Sequence, residues 1–150
     1  MIQSLKDNHA LFLIVVGSAA WLVPGGGHLA LGQQRRAGVI FVTILLTFLL
    51  GLYVGSLGVI DPVGAKPWYA AQIMNSPAVL LLGAHVVQVQ RRAESGQMDV
   101  QEAGTLPYRV YGRPSEIGQI YTSIAGLLNL LCIVNAIYVA HLMAVEETKR

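Results

Sequence analysis

The sequence predicts an all-α polytopic membrane protein, with four transmembrane helices in a single membrane domain covering residues 1–150. Apolar residues make up 54% of the chain and charged ones only 12%, about half the charge of an ordinary soluble domain. The ten basic and eight acidic residues are also clustered, so that residues 8–34, 37–60, 67–90 and 117–145 contain no charged side chain. Each stretch exceeds the ~20 residues that a helix rising ~1.5 Å per residue needs to cross a bilayer core. A soluble enzyme, a secreted disulfide scaffold and a nucleic-acid-binding domain are excluded on this pattern.

The first helix is expected over residues 8–23. It stops at Pro24-Gly25-Gly26-Gly27, because proline lacks an amide donor and glycine has the highest backbone entropy to lose. Its apolar part, from Ala10 to Val23, is short for a span, which leaves two arrangements: a true crossing, or a re-entrant hairpin whose broken backbone is covered by protein. The second helix, over 37–60, carries Thr43, Thr47, Gly51 and Gly55 at four-residue spacing, joined by Gly58. Such a stripe lets another helix backbone approach closely. The link 61–69, with Pro62, Pro67, Trp68 and Tyr69, reads as a short interfacial turn, since Trp and Tyr favour the headgroup level.

The third helix, over 76–90, opens on Ser76 as cap and Pro77 at the first helical position, and Arg91-Arg92 stop it. Residues 91–116 form the one sizeable polar loop, with Pro107, Tyr108 and Tyr111 placed to lie on the membrane surface. The fourth helix, over 117–145, carries a seam of Gly118, Thr122, Ala125, Asn129, Cys132 and Ala136 in alternating four- and three-residue steps, with Gly126 beside it. Small and weakly polar residues on one face mark a close helix contact, while Leu127, Leu128, Leu130, Leu131 and Ile133 are left for lipid.

Counting Lys and Arg near the helix ends orients the chain. Loops after the first and third helices hold Arg35, Arg36, Arg91, Arg92, Arg109 and Arg113, against Lys6, Lys66, Lys149 and Arg150 elsewhere. The bias places the 91–116 loop in the cytoplasm and, with four spans, both termini outside. A re-entrant first segment moves Lys6 to the inside group. A signal peptide is disfavoured, because Asp7 spoils the positive start and no A-x-A site precedes a polar mature start. With Cys132 the single cysteine, no intrachain disulfide forms.

The most distinctive stretch runs from Trp21 to Gly38: a Pro24-Gly25-Gly26-Gly27-His28 break, a Leu29-Ala30-Leu31-Gly32 step, the pair Arg35-Arg36 and a glycine opening the next helix. It resembles the kernel of the two-transmembrane-helix domain family, a helix hairpin found alone or fused in many bacterial membrane proteins. Leu29 and Ala30 stand where that family usually carries an aromatic pair. Gly112 to Gly118, Tyr121-Thr122 and Ala125 to Leu131 look like an uncharacterised family of small bacterial membrane proteins that joins this kernel to two further helices. The resemblance implies architecture and a bacterial inner (cytoplasmic) membrane location, and it implies no chemistry.

Three glycines with exposed amides and the following Arg35-Arg36 suit a lipid phosphate, so Pro24, Gly25, Gly26, Gly27, His28, Gly32, Arg35 and Arg36 form the candidate lipid and turn motif. No Gly-Lys-Ser/Thr follows, and no G-x-S-x-G nucleophile exists, so neither a Walker loop nor a hydrolase is indicated. His28 precedes Arg35 by seven residues and His85 precedes Arg91 by six, which places both near one interface if their surroundings are helical and allows a bis-histidine haem between the first and third helices. A cofactor is otherwise not expected. Asn129, Asn135 and Gln119 more readily join helices than line a transport path.

The functional expectation is a non-enzymatic membrane accessory or scaffold protein, packing with itself or with other membrane subunits in the lipid bilayer, with no nucleic-acid partner. The alternatives are a haem- or quinone-contacting redox subunit using His28 and His85, and a small channel lined by Thr43, Thr47, Asn129 and Asn135.

Overall fold

A computed structural model describes residues 9–95 and 113–148, and these residues form helices joined by turns, with no strand among them. In chain order the helices are α1 (His9–Leu22), α2 (Gly26–Ala30), α3 (Gln34–Gly55), α4 (Lys66–Ile73), α5 (Ala78–Glu94) and α6 (Arg113–Thr148), with a 3-10 turn at Leu57–Val59 after α3. Two of them, α3 and α6, contain stretches long and apolar enough to cross a membrane: 22 residues over Gln34–Gly55 and 33 over Pro114–Glu146. The apolar parts of α1 and α5, Ala10–Leu22 and Ala78–Val89, are shorter than a full span.

Several expected boundaries shift, each for a local reason. The second helix ends at Gly55 and not at residue 60, because Ser56 takes a positive φ of 60°, a conformation that L residues rarely adopt and a helix cannot contain. Gly58 therefore sits in the 3-10 turn and not on the α3 stripe. The link read as a turn holds the helix α4, with Pro67 in its first turn, where a missing amide costs nothing. Helix α5 opens as expected at a serine cap: the Ala78 amide donates to Ser76 Oγ at 3.3 Å. It continues through Arg91 and Arg92 to Glu94, and α6 begins at Arg113, so both ends of the expected 91–116 loop are helical. Charge limits burial in lipid, not helix formation. Pro107, Tyr108 and Tyr111 lie outside the described residues.

The chain divides into two compact units, Met1–Leu45 with Leu128–Arg150, and Leu46–Leu127. In the first unit Phe12 and Val16 of α1 pack with Ala136 and Ala140 of α6, flanked by Leu13 and Leu31. Here α2 folds back along α1: Gly26 lies on the Ala19 carbonyl, and a Cβ on Gly27 would stand 2.8 Å from the Cβ atoms of both Ala20 and Ala136. In the second unit α3 meets α6 through glycine. A Cβ on Gly118 would stand 2.7 Å from the Gly51 carbonyl oxygen and from Gly55 Cα. Gly126 lies against the Ala71 carbonyl of α4, and Gly83 of α5 against the Tyr69 ring.

Burial follows an inverted pattern on α6, and on α3 at Gly51 and Gly55, although α3 also buries Ile44 and Phe48. Gly51, Gly55, Gly118, Thr122, Ser123, Ala125, Gly126, Asn129 and Ala136 are buried, whereas Val39, Leu46, Tyr53, Leu131 and Tyr138 are exposed, Tyr53 to 88%. Helices in lipid gain nothing by hiding Leu from other Leu, so they associate through small residues and interhelical hydrogen bonds. The buried face of α6 fits that rule.

Candidate functional site

The residues of the Pro-Gly turn are held by a nearly continuous set of backbone hydrogen bonds. Gly26 donates to the Val23 carbonyl at 2.8 Å, Leu29 to Gly25 at 3.1 Å, Leu31 to Gly27 at 3.1 Å, and Gln33 to His28 at 2.9 Å. Two glycines in the left-handed region, Gly25 at φ 82° and Gly32 at φ 77°, make the two reversals that let α2 return and α3 depart. Any other residue at Gly25 would also drive a Cβ to 2.6 Å from the Ala37 carbonyl oxygen.

His28, 3% exposed, lies within the first unit, with Nε2 3.1 Å from Asn135 Oδ1. Since a carboxamide oxygen only accepts, Nε2 carries the proton in this arrangement. Nδ1 is then a buried acceptor without a partner among the described residues. His85 belongs to the other unit and is exposed on α5; the histidine that the turn buries is bound to an asparagine. Among the described residues no group of three or more His, Cys, Asp or Glu is arranged to hold a metal ion.

Two concavities adjoin at the start of α3. An apolar slot of about 250 Å³ is lined chiefly by Val23, Pro24, Leu29, Ala37, Gly38 and Phe41. A shallow depression is formed by Gly32, Gln33, Gln34, Arg35 and Arg36, and Gln34 lines both. Arg35 and Arg36 are exposed; Arg36 Nη1 donates to Gln33 Oε1 at 3.4 Å. The expected motif residues Pro24, Gly25, Gly26, Gly32, Arg35 and Arg36 thus gather at one place, and Gly27 and His28 face inward instead.

The expected packing residues are also brought together, but within the chain. Gly51 and Gly55 meet Gly118 and Thr122, while Asn129 Nδ2 donates to the Ala20 carbonyl at 3.4 Å in the first unit. Cys132 is half-buried. Thr43 is exposed and Thr47 half-buried, so the stripe on α3 narrows to its two glycines.

Sequence reasoning missed a polar cluster in the second unit. Gln72, fully buried on α4, donates through Nε2 to the Val59 carbonyl at 3.1 Å and to Thr122 Oγ1 at 2.8 Å. Thr122 Oγ1 in turn lies 2.9 Å from the Gly118 carbonyl, and Ser123 Oγ donates to the Trp68 carbonyl at 3.2 Å. The available signal was a pair of carboxamides, Gln72 and Asn75, about one helical turn apart. It was hidden because the segment read as an interfacial turn.

The family described as "Family of unknown function (DUF6677)" matches residues 15–149 of the chain. No curated protein and no solved structure matches it.

Proposed function

The chain belongs to that family of unknown function, and we propose that it is a non-enzymatic, multi-pass protein of the bacterial cytoplasmic membrane, acting as an accessory or scaffold subunit beside itself or larger membrane complexes. One observation carries this reading: on α6 the buried positions are all small or polar while Ile117, Ile120, Leu127, Leu131, Val134 and Tyr138 are exposed, and α3 exposes Val39, Leu46, Leu49, Leu50 and Tyr53 although it buries Ile44 and Phe48 beside Gly51 and Gly55. In water such faces would be an aggregation hazard. In lipid they are the ordinary outer surface of a helix pair.

Helices α3 and α6 are the full spans in this reading. The shorter α1 and α5 complete a set of four membrane helices, α1 rising only about 21 Å against the ~30 Å of a hydrocarbon core. The back-folded α2 covers the broken backbone after α1 with protein, the condition under which irregular chain is tolerated at membrane depth. The pairs Arg35-Arg36 and Arg91-Arg92 mark the cytoplasmic side. Because the glycine faces are consumed within the chain, contact with other subunits falls to the exposed apolar faces.

Fractionation of cells expressing the chain tests this directly. The protein should stay in the membrane pellet through alkaline carbonate and leave it only with detergent. Recovery in the carbonate supernatant would overturn the reading.

A further inference from the structure

The apolar slot beside the glycine turn contains a glycine that packing does not explain. Gly38 lies in the second turn of α3, and glycine is among the poorest helix formers, yet a Cβ at this position would meet no atom within 4 Å. Gly25, Gly26 and Gly27 are different, because each abuts neighbouring atoms. What the missing side chain of Gly38 leaves is open slot, about 250 Å³ in volume, walled by Val23, Pro24, Leu29, Ala37 and Phe41. That volume is below the ~300–1,000 Å³ of sites that enclose a whole small ligand. It suits one segment of a flexible hydrocarbon chain.

The polar rim gives the sign of what lies above that chain. Gln34 lines both the slot and the depression of Gly32 to Arg36. No Asp or Glu occurs in residues 8–60, and among the described residues the one hydrogen bond of either arginine side chain is Arg36 to Gln33 Oε1. Among the described residues neither guanidinium group meets a carboxylate, and both line the depression that shares Gln34 with the apolar slot; guanidinium groups suit phosphate oxygens through paired hydrogen bonds.

We propose that the slot and the adjoining depression hold one acidic phospholipid, an acyl chain lying along Gly38 and Phe41 and the phosphate against Arg35 and Arg36. The proposal rests on the membrane reading above and deepens it from a general lipid surface to a particular bound molecule.

The test is native mass spectrometry of the intact protein in mild detergent, titrated with phosphatidylglycerol or with phosphatidylcholine of the same chains. One phosphatidylglycerol per chain should be retained, with at least tenfold preference over phosphatidylcholine. Arg35→Gln with Arg36→Gln should erode that preference by roughly fivefold per arginine. Gly38→Leu fills the slot where no protein atom stands, and should abolish retention while leaving helical content unchanged. Should that variant fail to fold, the arginine pair still decides.

Equal retention of the two lipids, unchanged retention in the arginine double variant or in a folded Gly38→Leu, or displacement of the lipid by millimolar inorganic phosphate would each overturn the proposal. The two failures are distinguishable. A protein that needs no detergent to stay in solution defeats the membrane reading and this inference together, whereas one that needs detergent but shows no lipid preference defeats this inference alone.

Discussion

Gln72 on α4 and Thr122 on α6 are both fully buried and joined by a 2.8 Å hydrogen bond across fifty residues of sequence. The amide of Gln72 also reaches the Val59 carbonyl, so one side chain ties the 3-10 turn, the short helix and the long helix of its unit. An acceptor at Val59 fixes the orientation of the carboxamide, since only its nitrogen donates.

Gln72→Leu should therefore lower the unfolding stability of the detergent-solubilised protein by roughly 1–3 kcal/mol, the range for leaving a buried carbonyl unsatisfied. A double-mutant cycle with Thr122→Val should show coupling of about 0.6–1.7 kcal/mol, the span found for hydrogen bonds between membrane helices. Additive losses would mean that the two side chains act independently.

The glycines separate into two kinds. Gly118→Ala places a Cβ 2.7 Å from the Gly51 carbonyl oxygen and from Gly55 Cα, atoms of backbone that cannot rotate aside, so a loss of about 1–3 kcal/mol is expected from overpacking. Gly38→Ala meets nothing within 4 Å and should be neutral or stabilising by up to about 1 kcal/mol. Thermal unfolding of the two variants in one detergent checks the contrast, and similar midpoints would contradict it.

Charge-free stretches locate α3 and α6 from sequence alone, and the seam from Gly118 to Ala136 foretells the buried face of α6, because small residues at four- and three-residue steps form a strip that a second backbone can approach. Which surface that face meets was not legible. Spacing describes one helix at a time, so the seam announces a close contact without naming its partner, and the chain supplies Gly51 and Gly55 itself. The stop at Ser56 was invisible, since hydropathy continues unbroken to Ile60 while the backbone turns at a serine with positive φ. At the turn, the cluster of Pro24, Gly32 and the arginines could be read from sequence, but the inward burial of His28 against Asn135 could not.

The two candidate cofactor histidines should respond unequally. His28→Ala removes a buried ring and its 3.1 Å bond to Asn135, and should cost at least about 1 kcal/mol of stability, as losses of buried hydrogen-bonding groups do. His85 is exposed, so His85→Ala should fall within about 0.5 kcal/mol of the parent. Chemical denaturation in detergent measures both. A larger loss at His85 than at His28 would point to a role for His85 that its exposure does not suggest.

The central claim, that α6 lies in a membrane, is tested most directly by the chain's single cysteine. Cys132 lies sixteen residues after Glu116 and fourteen before Glu146, or about 24 Å and 21 Å along a helix from the nearest charged side chain on either side. A membrane-impermeant maleimide should leave Cys132 unlabelled in intact membrane vesicles from either side and label it fully once the protein is denatured in detergent. Labelling in intact vesicles at the rate seen after denaturation would place this residue in water and contradict the account.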